Sequence, residues 1–105
     1  MTRGEIYRVR LPARQGREQA GPRYGVIVQA DELLGLSTAI IAPTSRSAAP
    51  ATFRPEIEIA GHSTRVMVEH LRAVDIERLE ELAGRLTAPE QHALDDALLR
   101  VLDLS

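Results

Sequence analysis

The chain has 105 residues, of which 44% are hydrophobic and 27% charged, the composition of an ordinary globular protein rather than a disordered chain. It contains no cysteine, which excludes disulfide frameworks, thiolate nucleophiles and thiolate metal sites. No apolar run approaches the roughly 20 residues of a membrane-spanning helix, and no signal-peptide segment is recognisable, so we expect a cytoplasmic protein without a membrane partner. The length predicts one domain over residues 1–105.

The charge is divided unevenly along the chain. Residues 1–54 contain eight arginines and four acidic residues, a net charge of +4, whereas residues 55–105 contain five arginines and eleven acidic residues, a net charge of −6. This asymmetry indicates that one face meets a polyanion. All basic residues are arginine, which selection for bidentate phosphate binding and codon bias from a GC-rich genome explain equally well. The arginine count by itself therefore decides nothing.

The first half of the chain predicts strands separated by one long loop. Glu5–Leu11 alternates between apolar and polar side chains, as a half-buried strand does. Pro12–Pro22 contains no large apolar residue and predicts a loop longer than most, which is often functional. Tyr24–Val28 and Ser37–Ala42 are rich in β-branched residues and are typical of central strands buried on both faces. Between them, Asp31–Gly35 predicts one helical turn with its first residue as N-cap.

The second half predicts two more strands and two helices. Phe53–Ile59 alternates and contains Pro55, which favours an edge strand, and Val66–Val74 supplies a fifth strand. A short helix is predicted over Asp75–Leu82. A longer helix begins at Thr87 with a capping box. Its apolar stripe comprises Leu94, Leu98, Val101 and Leu102.

Five short strands followed by helices predict a mainly-β, α+β fold, a small β-barrel with a short helix and a C-terminal helix packed on it. The three histidines His62, His70 and His92 lack the close ligand spacing of a zinc site, so no metal and no cofactor are expected. Nucleophile-elbow, P-loop and dinucleotide-binding glycine motifs are also missing from the sequence.

The remaining candidate for chemistry lies at the ends of two central strands. Arg23 leads from the long loop into one strand, and Thr44 and Ser45 follow the next. If these consecutive strands pair antiparallel, a guanidinium and two hydroxyls meet at one edge of the sheet. The alternative is structural: an arginine at a strand end and a hydroxyl-containing turn. Spacing alone leaves both interpretations open.

Several segments, in order, resemble the MazF/PemK toxins. They are Arg3–Tyr7, Gly16–Arg23, Val26–Gln29, Ala42–Ser45 and Val66–Asp75, the last resembling the family's EQIRTID segment. The resemblance implies an SH3-like barrel and a homodimer. It also implies a toxin that cuts single-stranded RNA, including mRNA, without metal, inhibits growth and is neutralised by a cognate MazE-like antitoxin.

Carried over residue by residue, the resemblance puts the family's catalytic arginine at Arg23 and its threonine at Thr44. Glu18 and Gln19 correspond to loop positions near the RNA. Further RNA-binding candidates are Arg17, Ser45, Arg46, His70 and Arg72.

The sequence departs from the family at two positions. Tyr24-Gly25 follows the arginine where the family usually has proline, and the glycine could loosen the strand that aims Arg23. His70 replaces the usual glutamine, so recognition of one nucleotide differs or the imidazole takes part in proton transfer. Two rival hypotheses follow: a CcdB-like poison that acts on DNA gyrase without catalysis, and a catalytically degenerate RNA-binding member of the family.

Overall fold

The computed structural model describes residues 1–10 and 23–104, which form a curled antiparallel sheet and one helix. The strands are β1 (Glu5–Val9), β2 (Tyr24–Ile27), β3 (Thr38–Ser45), β4 (Glu56–Ile59), β5 (His62–Val66), β6 (Arg72–Asp75) and β7 (Leu79–Arg85), and helix α1 spans Ala88–Val101. The neighbour order is β4–β5–β3–β2–β1–β7, and β6 pairs with β3 outside this path. The mainly-β architecture with a C-terminal helix confirms the predicted fold class.

Strand β3 joins the two parts of the sheet. One side of it pairs with β2, where Gly25 lies opposite Pro43. Its other side pairs first with β6, from Thr38 to Ile41, and then with β5, where Thr44 lies opposite Val66. The second half of β3 therefore lies between β2 and β5.

The sheet is covered by apolar side chains on both faces. One cluster, which includes Val26, Ala42 and Val66, packs against Leu94 of α1. The other cluster lies on the opposite face and includes Val9, Ile27 and Ile41. Strand β2 is thus buried on both faces, as its β-branched sequence predicts.

Helix α1 begins with the predicted capping box. The Glu90 backbone N–H donates to Thr87 Oγ1 at 3.3 Å, and the Thr87 N–H donates to Glu90 Oε1 at 2.9 Å. Leu94 is fully buried, and Leu98 and Val101 pack against the same cluster. Leu102, the last member of the predicted stripe, lies past the helix end and is 49% exposed.

The helix predicted over Asp75–Leu82 is wrong. Residues Ile76–Arg78 form a single 3-10 turn, and the chain then continues as β7. Strand β7 pairs antiparallel with β1, with Val9 opposite Leu79, so long-range backbone hydrogen bonds override the local helical preference.

The predicted strand Val66–Val74 is also divided. Val66 ends β5, Val68–His70 form a 3-10 turn, and β6 begins at Arg72. The strand predicted from Phe53 begins only at Glu56, although its expected edge position is confirmed.

Strands β4 and β5 form a hairpin that the sequence analysis did not predict. Ile59 lies opposite His62, which leaves Ala60 and Gly61 as a two-residue turn with φ of 51° and 81°. Positive φ at both central residues is the geometry that matches the twist of a tight hairpin. Residues 1–10 and 23–104 therefore contain seven strands, whereas the sequence pattern predicts five for the chain.

Asp31 begins a 3-10 turn, Asp31–Leu33, but it is not the predicted cap. Ala30 occupies the N-cap position without a side-chain hydrogen bond. The Asp31 carboxylate instead accepts the backbone N–H of Arg3 at 2.6 Å. Leu11 and the predicted loop Pro12–Pro22 lie outside the described residues.

Candidate functional site

The antiparallel register brings the beginning of β2 to the end of β3. Gly25 lies opposite Pro43, and the Thr44 hydroxyl donates to the Tyr24 carbonyl oxygen at 3.1 Å. The Arg23 carbonyl oxygen accepts the N–H of Val9 at 2.9 Å, so the arginine is anchored to β1 by its backbone. Strands β2 and β3 are therefore antiparallel, as the sequence analysis assumed, and the arginine and the hydroxyls lie at one end of them.

Two cross-strand rows run through this end of the sheet. Continuing the register of Gly25 and Pro43 by two residues places Arg23 opposite Ser45, and Ser45 lies opposite Arg65 on β5. Thr44 belongs to the adjacent row, between Tyr24 and Val66. Because successive residues of a strand face opposite sides, Ser45 and Arg65 share a face with Arg23, while Thr44 is turned toward the other face at the same end.

Gly25 fits a close approach of three strands. A Cβ atom at this buried position would stand 2.7 Å from Cδ1 of Ile41 and 3.1 Å from Cγ2 of Val9. Both distances are too short for ordinary packing, so the missing side chain lets β1, β2 and β3 pack closely beside Arg23. The glycine that departs from the family pattern thus serves packing, and the expected loosening of the strand is not what its surroundings indicate.

Arg65 was not among the predicted site residues. Its guanidinium donates from Nη1 to the Arg54 carbonyl oxygen at 3.0 Å and lies 3.4 Å from Glu56 Oε1 through Nη2. Its side chain is 24% exposed. Its place opposite Ser45 depends on the register of β5 against β3, which the local sequence pattern does not show.

A second ion pair lies beside Arg65. Arg54 donates from Nε to Glu69 Oε2 at 2.7 Å, and its Nη2 lies 2.6 Å from the same oxygen. The other carboxylate oxygen, Oε1, is buried without a hydrogen-bond partner among the described residues. Arg54 also stacks over the Phe53 ring at 5.4 Å and donates to the Ala49 carbonyl oxygen. This pair ties the segment before β4 to the turn that follows β5.

The predicted residues around this centre are not all placed alike. His70 is on the 3-10 turn rather than in a strand, and its Nε2 lies 4.0 Å from Glu69 Oε2. Arg46 lies just beyond β3, with Nη2 at 3.4 Å from His62 Nδ1. Arg72 is exposed on β6, opposite Ile41. Three predicted loop residues, Arg17, Glu18 and Gln19, lie outside the described residues.

The carboxyl group of Glu69 has a pKa below its ordinary value. Burial raises the pKa of this group, but the hydrogen bond and charge of Arg54 lower it by more, helped by a backbone hydrogen bond and by His70. Folded protein therefore keeps Glu69 ionised at pH values where the unfolded chain begins to bind a proton.

We expect the Arg54–Glu69 pair to make the folding stability decrease as the pH drops below about 4.3, the ordinary pKa of glutamate. Between that value and the lowered pKa of Glu69, the unfolded state binds more protons, so acid favours unfolding. Thermal denaturation of the protein and of Glu69→Gln between pH 3 and pH 7 should give stability curves that converge toward acid pH. Glu58→Gln, which removes an exposed carboxylate on β4, is the control. A constant difference between the protein and Glu69→Gln across this range would contradict the assignment.

Within residues 1–10 and 23–104, no group of three or more histidine or acidic side chains is placed to hold a metal ion. No helix in the described part of the chain is long and apolar enough to span a bilayer. Among the described residues, this end of the sheet carries guanidinium and hydroxyl groups, and the imidazoles of His62 and His70 and the carboxylates of Glu56 and Glu69 lie nearby.

Comparison with known proteins identifies the family. The sequence matches the PemK-like, MazF-like toxins of type II toxin–antitoxin systems over residues 2–102. It is 43% identical over 75 residues to Rv3098A of Mycobacterium tuberculosis, a protein named as a toxin, covering 70% of each chain. It is 30% identical over 116 residues to endoribonuclease MazF9 of the same organism, covering 99% of this chain and 98% of the relative.

The fold comparison agrees. A mycobacterial endoribonuclease solved in complex with its cognate antitoxin superposes with a TM-score of 0.82 at 15% identity, covering 100% of this chain and 97% of the other. At 15% identity this likeness shows the fold alone. The family assignment rests on the sequence matches, which cover residues 2–102 for the toxin family and 99% of this chain for MazF9. The chain thus belongs to the PemK-like, MazF-like toxins of type II toxin–antitoxin systems, the family of the endoribonuclease MazF9.

Proposed function

We propose that this toxin is a sequence-specific endoribonuclease that cleaves single-stranded RNA, mRNA included, without a metal ion, and thereby inhibits translation and growth. The observation that carries the proposal is that Arg23, Thr44 and Ser45 lie at the same end of the paired strands β2 and β3, with Ser45 in the cross-strand row of Arg23 and Thr44 in the adjacent row. The relative MazF9 is named as an endoribonuclease, which supports the same activity here.

The proposed reaction uses the ribose 2′-hydroxyl of the substrate as nucleophile. Its oxygen bonds to the adjacent phosphorus while the bond from phosphorus to the 5′-oxygen of the next nucleotide breaks. The products are a 2′,3′-cyclic phosphate and a 5′-hydroxyl. One proton leaves the attacking oxygen and one reaches the leaving oxygen, so the protein must stabilise charge on the phosphorane and assist both proton transfers.

Arg23 is the proposed stabiliser of the phosphorane. A guanidinium presents several N–H donors in a planar fork that matches two phosphate oxygens. A guanidinium is a poor proton acceptor, because it stays protonated in proteins. We therefore assign Arg23 electrostatic stabilisation. His70, exposed on the turn Val68–His70, is a candidate for proton transfer.

Thr44 is the proposed hydroxyl donor, although its proton now points to the Tyr24 carbonyl oxygen. Loss of one preorganised donor lowers the rate by roughly 10²-fold or more. We expect Thr44→Val to lower kcat to this extent, Thr44→Ser to retain most activity, and Ser45→Ala to have the smaller effect. Single-turnover experiments, with the protein in saturating excess over the RNA, would measure the rate of the cleavage step in each variant. A larger loss in Ser45→Ala would transfer the role to Ser45, which shares a face with Arg23.

The direct test of the function is cleavage by purified protein in excess EDTA, with single-stranded RNA and single-stranded DNA of the same sequence as substrates. We expect RNA fragments ending in 2′,3′-cyclic phosphate and 5′-hydroxyl, and intact DNA, because DNA lacks the 2′-hydroxyl. Fragments with 5′-phosphate ends, or loss of activity in EDTA, would refute the mechanism. Mapping the fragment ends would also give the recognised sequence.

The rival hypotheses predict different outcomes of that experiment. A catalytically degenerate member would bind the RNA and leave it intact. A CcdB-like poison would leave RNA intact and trap DNA gyrase on DNA. A solved relative bound to its cognate antitoxin supports a MazE-like antitoxin as the partner of this chain. The proposal also includes a homodimer and action on mRNA in the cytoplasm.

A further inference from the structure

We propose that Arg65 binds a phosphate group of the RNA next to the scissile one, so that two arginines of one cross-strand row hold consecutive phosphates. This inference rests on the proposed function and adds a substrate-binding residue to it. Nothing in the sequence pattern marks Arg65, because its position depends on the pairing of β5 with β3.

Arg65 lies in the same cross-strand row as Arg23. Arg65 lies opposite Ser45, and the continued register places Arg23 opposite Ser45 on the other side. Neighbouring strands are about 4.8 Å apart, so the two arginines, separated by β3, are about 10 Å apart at their Cα atoms. Long side chains on one face at this separation can reach neighbouring phosphates of a single strand. The serine hydroxyl between them adds a hydrogen-bonding group to the same row.

The guanidinium of Arg65 is held in place by a hydrogen bond to the backbone of the segment before β4. Nη1 donates to the Arg54 carbonyl oxygen at 3.0 Å, and Arg54 is itself fixed by its ion pair with Glu69. The hydrogen bond to Arg54 reduces the side-chain entropy lost on binding, because it already orders the long side chain of Arg65. The carboxylate of Glu56, 3.4 Å from Nη2, is 57% exposed and gives a weak, solvent-screened pair that leaves the cation able to bind an anion.

The surface around Arg65 carries more positive than negative charge. Arg54 and Glu69 neutralise each other, and Arg65 faces Glu56. Arg46 extends the positive side of the same region beyond the end of β3. Arg23, Arg46 and Arg65 against Glu56 leave an excess of positive charge around the row from Arg23 to Arg65. With the Ser45 hydroxyl in the row, this surface suits a phosphodiester backbone.

The test uses the RNA cleavage sequence mapped as above, made uncleavable by a 2′-deoxyribose at the cut position. Binding is measured for the unaltered protein, Arg65→Gln, Arg65→Lys and the matched control Arg100→Gln, whose arginine is exposed in the last turn of α1. A series of substrates carries a neutral methylphosphonate at one linkage at a time.

We expect Arg65→Gln to weaken binding about tenfold, the effect of losing one charge-assisted hydrogen-bonded contact. The slope of log affinity against log salt should become shallower by about 0.7, the value for one phosphate contact on a single strand. The unaltered protein should lose affinity when the methylphosphonate occupies one linkage beside the cut position, and Arg65→Gln should be insensitive there. Arg65→Lys should keep the salt slope, and Arg100→Gln should behave as the unaltered protein.

Arg65→Gln with unchanged affinity, salt slope and linkage sensitivity would overturn the inference. Weaker binding with an unchanged salt slope and retained sensitivity at every linkage would also overturn it, because that pattern indicates a structural role. Circular dichroism and thermal denaturation confirm that each variant is folded. If the unaltered protein neither binds nor cleaves RNA, the proposed function fails, and that result is distinct from failure of the Arg65 assignment.

Discussion

Replacing Arg23 by glutamine is expected to lower the single-turnover rate of RNA cleavage by about 10²–10³-fold, the usual effect of removing one preorganised charge donor. The substitution removes the guanidinium, which stabilises the phosphorane in the proposed mechanism. The fold should survive, because Arg23 is tied to β1 through its backbone carbonyl oxygen, which accepts the Val9 N–H at 2.9 Å in a contact independent of the side chain. Substrate affinity should fall much less than the rate.

Two further variants make the Arg23 experiment specific. Arg23→Lys keeps the charge but loses the planar fork of donors, so an intermediate rate is expected. Arg100→Gln makes the same charge change in an exposed turn of α1 and should leave cleavage unchanged. A normal cleavage rate in folded Arg23→Gln protein would remove the arginine from the reaction. A loss confined to KM would make it a binding residue only.

Replacing Leu94 by alanine is expected to lower the free energy of unfolding by about 2–5 kcal/mol, as truncation of a buried leucine usually does. Leu94 is fully buried and packs from α1 onto the cluster that contains Val66 and Val26. For a domain of this size each kcal/mol corresponds to about 4–8 °C in Tm. Thermal and denaturant unfolding would measure the loss.

The control for this experiment lies five residues further along the same helix. Leu99 is 41% exposed, and Leu99→Ala should change stability by less than about 0.5 kcal/mol. A similar loss from both variants would mean that α1 does not dock through Leu94. At a temperature where both variants are folded, neither should change the cleavage rate per folded molecule, because neither residue lies in the row of Arg23 and Ser45.

The places where the sequence misleads share one cause. Residues 75–85 contain many good helix formers, yet they form a turn and β7 because β1 offers a partner strand. The polar segment His62–Val66 has little apolar alternation, and it becomes a strand through the tight turn at Ala60-Gly61. In both cases, pairing with a distant strand decides the structure.

The capping box at Thr87 and Glu90 and the β-branched runs of β2 and β3 were readable in advance, because they depend on hydrogen bonds within one turn or on burial along one strand. The strand pattern also put Arg23, Thr44 and Ser45 at two strand ends, whereas the catalytic assignment of Arg23 and Thr44 came from the family resemblance. The register of β2, β3 and β5 decides which side chains share a face with Arg23. It also brings Arg65 and the Arg54–Glu69 pair into the same region. Register is set by contacts between residues far apart in the chain, and a shift of one residue reverses every face, so only the folded sheet could decide it.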